Sequence, residues 1–187
     1  MQDTPIQHWN SYYDKNNDFG FMASPMLTRV LEDVDPTLSK FCLDIGCGTG
    51  QLTRELYHRG YHCLSLDLSD SAIHLARSHT IYGETLTYKV ADVETIESAQ
   101  LTSDTYSLIT CKLVFAFIQD KDAFLKKVAK LLADRGTFVI ITPIDTSDAV
   151  RSIAVDFQKT DEQLRAHFGT VKSFEGLGVT YFICKKE

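Results

Sequence analysis

The sequence predicts a doubly wound, Rossmann-like α/β fold, with a seven-stranded mixed sheet that ends in an antiparallel C-terminal hairpin. Helical and extended segments alternate through most of the chain, which is typical of βαβ units and a parallel sheet. A glycine-rich turn at residues 46–50 follows the first apolar run and precedes a helical stretch. Near the C-terminus, two short apolar runs flank a glycine-bearing link, as in a hairpin.

Five strands are expected in the parallel part of the sheet. They are predicted at residues 40–46, 61–66, 86–90, 106–111 and 137–142. The fifth is apolar throughout, as an inner parallel strand should be. The strongest helical spacing runs from Asp120 to Ala133, and Gly136 is placed to end it. A further helical stretch covers residues 160–168. The hairpin strands are predicted at residues 171–174 and 179–184.

Length and composition indicate one ordinary globular domain. The chain has 187 residues, of which 44% are hydrophobic and 24% charged, the balance of a folded protein with a sizeable core. We predict a single domain over residues 1–187. An N-terminal helical cap (residues 1–38) is expected to precede a Rossmann-like core (residues 39–187). The oligomeric state is left open between monomer and homodimer.

The charge and the cysteine content limit which binding partners and which cellular compartment are expected. The 19 basic and 25 acidic residues give a net charge of −6 without a basic cluster, so a small-molecule substrate is expected and nucleic acid is not. No apolar run approaches the roughly 18 residues of a membrane span. The polar N-terminus lacks an export signal. The five cysteines form no C-x-x-C pair, which is typical of free thiols in the cytoplasm. No metal site is expected, because His58 and His62 lack ligand partners in a suitable pattern.

The glycine-rich turn predicts a site for a nucleoside. Glycine lets a ligand approach the backbone closely, and the N–H groups at the start of the following helix favour polar or anionic groups. The dinucleotide pattern G-x-G-x-x-G would require glycine at position 51, where this chain has Gln51. The third glycine instead comes one residue early, at Gly50. A nicotinamide-dependent oxidoreductase is therefore disfavoured.

Three aspartates lie at predicted strand ends on the edge where such a nucleoside would bind. Asp44 belongs to the first strand, Asp67 ends the second and Asp92 follows the third. The carboxyl ends of parallel strands form the ligand crevice of an open sheet, so these carboxylates are expected to converge. Asp67 has the spacing from the glycines at which an acidic side chain accepts ribose hydroxyls. Taken alone, Asp67 also fits a cap of the next helix and Asp92 a turn residue.

These residues together resemble the class I S-adenosylmethionine-dependent methyltransferases. The matching motifs are residues 43–50 (LDIGCGTG), Asp67, residues 91–93 (ADV) and residues 132–142. The resemblance extends from about residue 9 to the C-terminus. It implies S-adenosyl-L-methionine as the cofactor and methyl transfer to a small molecule as the function. The residues that it places around the cofactor are Asp44, Gly46, Cys47, Gly48, Gly50, Asp67, Leu68, Asp92, Val93, Trp9, Tyr13, Cys111 and Lys112.

The resemblance also implies what these residues do. The three glycines would lie against the methionyl part and the ribose of the cofactor, with Asp44 anchoring the turn. Asp67 would bind the ribose hydroxyls, and Leu68 would contact the adenine face. Asp92 would accept a hydrogen bond from the adenine amino group, while the Val93 backbone N–H meets a ring nitrogen.

The N-terminal segment departs from the family pattern. Trp9 and Tyr13 resemble the W-D-x-x-Y segment of small-molecule members, whose aromatic side chains cover the cofactor. Asn10 stands in place of the aspartate, and no arginine lies between the two aromatics to pair with the cofactor carboxylate. After the fourth strand, Ala116 occupies the position of a histidine that many members carry. These departures leave a second function open, a module or partner subunit that binds the cofactor without turnover.

Candidate catalytic groups are few. Cys111 and Lys112 lie at the strand end toward which the methyl group should point, and Lys112 and Tyr13 are the two candidates for catalysis. Lys112 fits a solvated surface lysine equally well. Methyl transfer from a sulfonium depends mainly on alignment and exclusion of water, so an amine, thiolate or carboxylate acceptor needs no general base. Residues that select the acceptor are expected near Tyr13, Lys112 and the segment after Pro143.

Overall fold

The computed structural model describes residues 4–18, 22, 24–81, 83–101, 105–145 and 153–186. The helices are α1 (Pro5–Tyr13), α2 (Ser24–Leu31), α3 (Gln51–His58), α4 (Asp70–Ser78), α5 (Lys121–Leu131) and α6 (Phe157–Arg165). The strands are β1 (Phe41–Ile45), β2 (His62–Asp67), β3 (Leu86–Val90), β4 (Tyr106–Lys112), β5 (Leu132–Thr142), β6 (Thr170–Gly176) and β7 (Val179–Lys185). Short 3-10 helices follow β3 and β4, at Ser98–Gln100 and Phe115–Phe117.

The strands form one mixed sheet in the order β3-β2-β1-β4-β5-β7-β6. The first five strands are mutually parallel, and β7 runs antiparallel to both β5 and β6. The strand order reverses between β1 and β4, and ligands of open α/β sheets bind beyond the carboxyl ends of strands at such a point. The predicted seven-stranded mixed sheet and its C-terminal hairpin are confirmed.

Helices cover both faces of the sheet, because the side chains of each strand alternate between the faces. On β5, Phe138 and Ile140 pack with α5 and α6, whereas Val139 and Ile141 pack with α2, α3 and α4. Parallel strands covered on both sides are apolar on both sides, which explains the continuous apolar run in this strand. The doubly wound arrangement is therefore confirmed.

The boundary between α5 and β5 differs from the prediction. The helix ends at Leu131 rather than near Ala133, and Leu132 already pairs with Tyr106 of β4. A register shift follows in this pair of strands, and Arg135 takes a positive φ of 63°. Apolar spacing could not reveal this, because Leu131 and Leu132 are both buried and burial suits a helix end and a strand start equally well.

The C-terminal hairpin is tighter than predicted. The link consists of two residues, Leu177 and Gly178, whose φ values are both positive at 54° and 75°. Tight two-residue hairpins use this backbone, because it matches the twist of the flanking strands. The pairing runs from Thr170 and Lys185 to Gly176 and Val179, which makes β6 longer than predicted at both ends and β7 longer by one residue at its C-terminal end.

The N-terminal segment supplies two helices in different places. Leu27 and Val30 of α2 pack into the core on one face of the sheet. The helix α1 lies instead at the carboxyl edge of the sheet, where the Ser69 hydroxyl donates to Asn10 Oδ1 at 2.6 Å. Within the predicted cap, α2 thus packs with the core and α1 covers the site. The division at residue 38 stays a prediction.

Candidate active site

A cavity of about 320 Å³ opens at the carboxyl edge of the sheet. Its walls are the glycine-rich turn after β1, the segments after β2 and β3, and the loop after β4, while α1 closes one side. The predicted site residues that line it are Trp9, Tyr13, Asp44, Gly46, Cys47, Gly48, Asp67, Leu68, Asp92, Val93 and Lys112. Residues from distant parts of the chain therefore meet at the predicted edge.

Two predicted site residues, Gly50 and Cys111, lie outside this lining. Gly50 precedes α3 with a φ of 78°, and a β-carbon there would collide with the Tyr88 ring, so this glycine serves packing against β3. Cys111 is fully buried in the core between the sheet and α5. Side chains alternate along β4, so the neighbouring Lys112 faces the cavity and Cys111 does not. The predicted contact of these two residues with a cofactor stays a prediction, and neither of them belongs to the wall of this cavity.

The glycines that line the cavity have backbone conformations and neighbours that other residues would not fit. Gly46 and Gly48 have φ values of 69° and 53°, in the left-handed region. A β-carbon on Gly46 would collide with the Val114 side chain, and one on Gly48 would lie 2.8 Å from the Tyr13 hydroxyl. The turn is therefore packed closely against both α1 and the loop after β4.

Asp67 links the glycine-rich turn to the start of α4. Its Oδ2 accepts a hydrogen bond from the Gly48 N–H at 2.8 Å, and its Oδ1 accepts one from the Ser69 N–H at 2.9 Å. Burial raises the pKa of the Asp67 carboxyl, and these N–H donors act in the opposite direction. Each carboxylate oxygen can accept a further hydrogen bond. Asp67 can therefore hold the backbone at the start of α4 and also accept a hydrogen bond from a ligand.

Asp44 is held by side chains rather than by the turn backbone. Its Oδ2 accepts from the Thr53 hydroxyl of α3 at 2.6 Å, and its Oδ1 accepts from the Thr110 hydroxyl of β4 at 2.8 Å. Burial raises the pKa of the Asp44 carboxyl, although both hydroxyls and the nearby Lys112 oppose this shift. Asp44 therefore ties α3 and β4 to β1 beneath the turn.

Asp92 forms a tight turn after β3. Its Oδ1 accepts from the Glu94 N–H at 2.8 Å, and its carbonyl oxygen accepts from the Ile96 N–H at 2.9 Å. Asp92, Val93 and Glu94 all line the cavity. The turn role expected of an aspartate is present here, in a residue that also faces the site.

Aromatic side chains from α1 cover the cavity. The Trp9 ring meets the Phe117 ring edge-on, with 5.2 Å between the ring centroids. Tyr13 is buried, and its hydroxyl lies over Gly48. Burial, followed by the negative charge of Asp67, raises the pKa of Tyr13 well above its usual range. Tyr13 therefore stays a neutral phenol near pH 7, which suits covering and hydrogen bonding better than proton abstraction.

Lys112 provides the positive charge of the cavity. Among the lining residues that the structure describes, it is the only lysine or arginine. The acidic lining residues are Asp18, Asp44, Asp67, Asp92 and Glu94. Burial lowers the pKa of the Lys112 ammonium, and the charges of Asp44 and Asp18 oppose this shift. Lys112 is therefore a half-buried lysine in the cavity wall, and its catalytic role stays a prediction.

Several lining residues were missed by the sequence reasoning. They are Pro5, Asp18, Ile45, Thr49, Gln51, Leu52, Leu66, Ala91, Glu94, Leu113, Val114, Phe117, Ile118 and Gln119. Asp18 accepts from the Thr49 hydroxyl at 2.7 Å, which joins the segment after α1 to the turn. Leu113 has a φ of 59°, rare for a leucine, and its N–H donates to the Ile141 carbonyl at 2.7 Å. These contacts join segments that are distant in the sequence, so no local sequence pattern predicts them.

Two other kinds of feature were sought in the described ranges. No group of three or more His, Cys, Asp or Glu side chains is placed there to hold a metal ion. None of the described helices combines the length and apolar character needed to cross a membrane. Of the segment after Pro143, residues 146–152 lie outside the described residues.

A family profile described as a methyltransferase domain matches residues 43–140, from β1 to β5. The matched region covers more than half of the chain and contains the glycine-rich turn, Asp67 and Asp92. The fold and the site define a class I S-adenosylmethionine-dependent methyltransferase architecture, and the chain belongs to this methyltransferase-domain family.

Curated relatives share part of this region. The chain is 25% identical over 130 residues to a ubiquinone biosynthesis O-methyltransferase of Hydrogenovibrio crunogenus, covering 68% of this chain and 53% of that protein. It is 33% identical over 104 residues to the protein of the same name from Aeromonas salmonicida, covering 55% of this chain and 43% of that protein. The chain thus spans about half the length of the curated relatives it matches.

Solved structures share the fold over a larger part of the chain. The magnesium protoporphyrin IX methyltransferase of Synechocystis, determined with S-adenosylhomocysteine bound, superposes with a TM-score of 0.67 at 14% identity. This superposition covers 100% of the present chain and 90% of that one. At such low identity the comparison demonstrates a common fold.

Proposed function

We propose that this protein is a methyltransferase that transfers the methyl group of S-adenosyl-L-methionine to a small molecule. The observation that carries the proposal is the cavity beside the glycine-rich turn, which places Gly48, Asp67 and Asp92 around one space. Family membership over residues 43–140 supports the same function. The names of the curated relatives favour an oxygen atom as the acceptor.

The side chains present fit the nucleoside part of this cofactor. Gly48 leaves the turn open on its cavity side, where a β-carbon would already crowd Tyr13. Asp67 lines the cavity, and 8% of its surface remains exposed. We assign the ribose hydroxyls to Asp67, the adenine amino group to Asp92 and the adenine face to Leu68. The Val93 N–H is assigned to a ring nitrogen of the adenine.

The amino-acid part of the cofactor fits the other end of the cavity. This part is a zwitterion with one carboxylate and one ammonium group. Lys112 is the only cationic side chain among the described lining residues, and it lies within electrostatic reach of Asp18. We therefore assign the cofactor carboxylate to Lys112, in place of the arginine missing between Trp9 and Tyr13, and the ammonium group to the acidic side chains nearby.

In this reaction the protein has to align the methyl group with the acceptor and to exclude water. When bound, the cofactor supplies a methyl group that its sulfonium already activates. Trp9, Tyr13 and Phe117 form an aromatic cover that restricts water at the site. No histidine lines the cavity in the described part of the chain, so an acceptor that is already ionised fits best.

Transfer of labelled methyl groups tests the proposal. The protein is incubated with S-adenosylmethionine carrying a labelled methyl group and with a panel of phenols, carboxylates, thiols and amines. We expect label in at least one acceptor, a strong loss in Asp67→Ala, and wild-type transfer in the control Asp70→Ala on the exposed start of α4. Failure of the wild type to bind S-adenosylhomocysteine would contradict the proposal.

A second function is favoured by the absence of a histidine from the described cavity lining. A partner subunit that binds the cofactor without turnover would need the nucleoside contacts but no catalytic base. The same experiment separates the two functions, since transfer to any acceptor excludes the binding module. Binding of the demethylated cofactor without transfer across the panel would favour it.

The compartment and assembly are proposed on composition. All five cysteines are free and buried, which agrees with a reducing cytoplasm. The net charge of −6 is unfavourable for binding nucleic acid, and we propose a small molecule as the partner of a monomer or homodimer.

A further inference from the structure

The turn after β3 is held from outside the cavity by a lysine. This turn, residues 92–96, is called the Asp92 turn. Its inner side faces the cavity through Asp92, Val93 and Glu94. Val93 and Ile96 also pack into the core. The outer side meets α5, where Lys127 lies.

Lys127 uses its three donors on this turn. Its Nζ donates to the carbonyl oxygens of Val93 at 2.7 Å, Glu94 at 2.9 Å and Ile96 at 2.9 Å. The turn resembles the last turn of a helix, because Ile96 N–H donates to the Asp92 carbonyl and leaves the following carbonyls without helical partners. A lysine is well suited to such a position, since its charge complements the negative end of the peptide dipoles.

Glu94 fixes the same turn from a second direction. Its carboxylate accepts from the Gln119 N–H at 3.1 Å and from the Asp120 N–H at 3.0 Å, just before α5 begins. Asp120 is itself the N-cap of α5. The Asp92 turn and the loop after β4 are therefore joined to one helix, α5, at its start by Glu94 and at its middle by Lys127.

We propose that Lys127 is a positioning residue that sets the selectivity of the site for adenine. It acts through the Asp92 turn, by fixing where the Asp92 carboxylate and the Val93 N–H face the cavity. Lys127 is not among the lining residues, so it acts through others. The inference rests on the proposed function, in which Asp92 and Val93 bind the base.

The preference for adenine over hypoxanthine provides a measurement that a change in protein stability alone would not alter. In adenine, the amino group donates to Asp92 and the unprotonated ring nitrogen accepts from Val93. In hypoxanthine, an oxygen replaces the amino group and the ring nitrogen carries a proton, so both contacts become unfavourable. A site that binds through hydrogen bonds rejects an analogue that lacks them, provided that its groups are held in place.

The test compares S-adenosylhomocysteine with S-inosylhomocysteine by calorimetry. The variants are Lys127→Met, which keeps the length of the side chain without its donors, and the control Lys130→Met, on the exposed side of the same helix. We expect Lys127→Met to lose about tenfold in affinity for the adenine ligand and little for the hypoxanthine ligand. Lys130→Met should retain the wild-type preference.

An unchanged ratio of the two affinities in folded Lys127→Met would overturn the proposal, even if both affinities fell. A wild type that binds both ligands equally would overturn it as well. If Lys127→Met fails to fold, Lys127→Arg is measured instead. It keeps the charge but replaces the converging ammonium donors by a planar fork, so the preference should fall partway; a preference equal to wild type in that variant would contradict the proposal. Absence of any binding by the wild type would instead refute the proposed function.

Discussion

The hydroxyl of Tyr13 lies over Gly48, 2.8 Å from the position that a β-carbon on this glycine would occupy. This contact joins α1 to the glycine-rich turn and to Asp67, whose carboxylate holds the Gly48 N–H. The aromatic cover and the ribose subsite therefore share one glycine. A change at position 48 should disturb both.

Gly48→Ala should lower both stability and affinity for S-adenosylhomocysteine. The left-handed φ of 53° costs an alanine about 1–2 kcal/mol, and the contact with Tyr13 adds to that cost. Gly178→Ala is the matched control, because its φ is 75° but nothing lies within 4 Å of an added β-carbon. Thermal unfolding and calorimetry should find a stability loss in both variants, and an affinity loss only in Gly48→Ala.

The double variant Gly48→Ala/Tyr13→Phe isolates the contact. Removal of the hydroxyl leaves the nearest ring carbon 3.6 Å from the added β-carbon, an ordinary packing distance. The double variant should therefore be more stable than Gly48→Ala. Strict additivity of the two single changes would contradict the packing described here.

Asp44→Asn should stabilise the fold and weaken the site. Burial raises the pKa of Asp44 above its ordinary value of 3.8, so the ionised form costs stability above the folded-state pKa. This loss of stability disappears as the pH falls below the pKa of Asp44 in the unfolded state. The variant should melt about 2–4 °C higher near pH 7, with the difference shrinking toward acid pH, and should bind S-adenosylhomocysteine more weakly. A lower melting temperature near pH 7 would show that the threonine hydroxyls outweigh desolvation.

Lys112→Met should weaken binding of S-adenosylhomocysteine about tenfold but leave 5′-methylthioadenosine, which lacks the amino-acid part, almost unaffected. Burial lowers the pKa of Lys112 below 10.5. Affinity that depends on the ammonium form should thus decline as the pH rises, starting at a lower pH than for an exposed lysine. The difference between wild type and variant should shrink in the same range. Equal losses for both ligands would place Lys112 away from the carboxylate.

Trp9 should report cofactor binding directly. It is the only tryptophan of the chain, it lines the cavity, and its ring contacts Phe117. Its fluorescence should change on titration with S-adenosylhomocysteine, and the midpoint of this change should agree with the affinity measured by calorimetry. Phe117→Leu should remove the edge contact and reduce the affinity severalfold, about 1 kcal/mol for one aromatic pair. Unchanged Trp9 fluorescence at saturation would contradict an aromatic cover over the ligand.

The sheet was predictable because its signals are local. The glycines at positions 46, 48 and 50, the aspartate at the end of β2 and the apolar run of β5 each lie within one segment, and together they predicted the strand edge that forms the cavity. The helix end at Leu131 was not predictable, since Leu132 continues the buried pattern and the change to strand depends on pairing with Tyr106.

The finer contacts of the site depend on segments that meet only in the folded chain. Asp18 reaches Thr49 across 31 positions, and Lys127 reaches the Asp92 turn from more than 30 positions away. The alternation along β4 could have predicted that Cys111 faces the core, because Lys112 and Cys111 point to opposite faces. The glycine pattern alone could not show that Gly50 serves packing against Tyr88, since the same φ suits either role.

The most direct measurement is a calorimetric titration of the wild-type protein with S-adenosylhomocysteine, beside Asp67→Ala and the control Asp70→Ala. The account predicts one saturable site in the wild type and the control. It predicts a loss of roughly 1–3 kcal/mol in Asp67→Ala, the scale of leaving polar partners unsatisfied. No binding by the wild type at millimolar ligand, or wild-type affinity in folded Asp67→Ala, would contradict the assignment of this cavity.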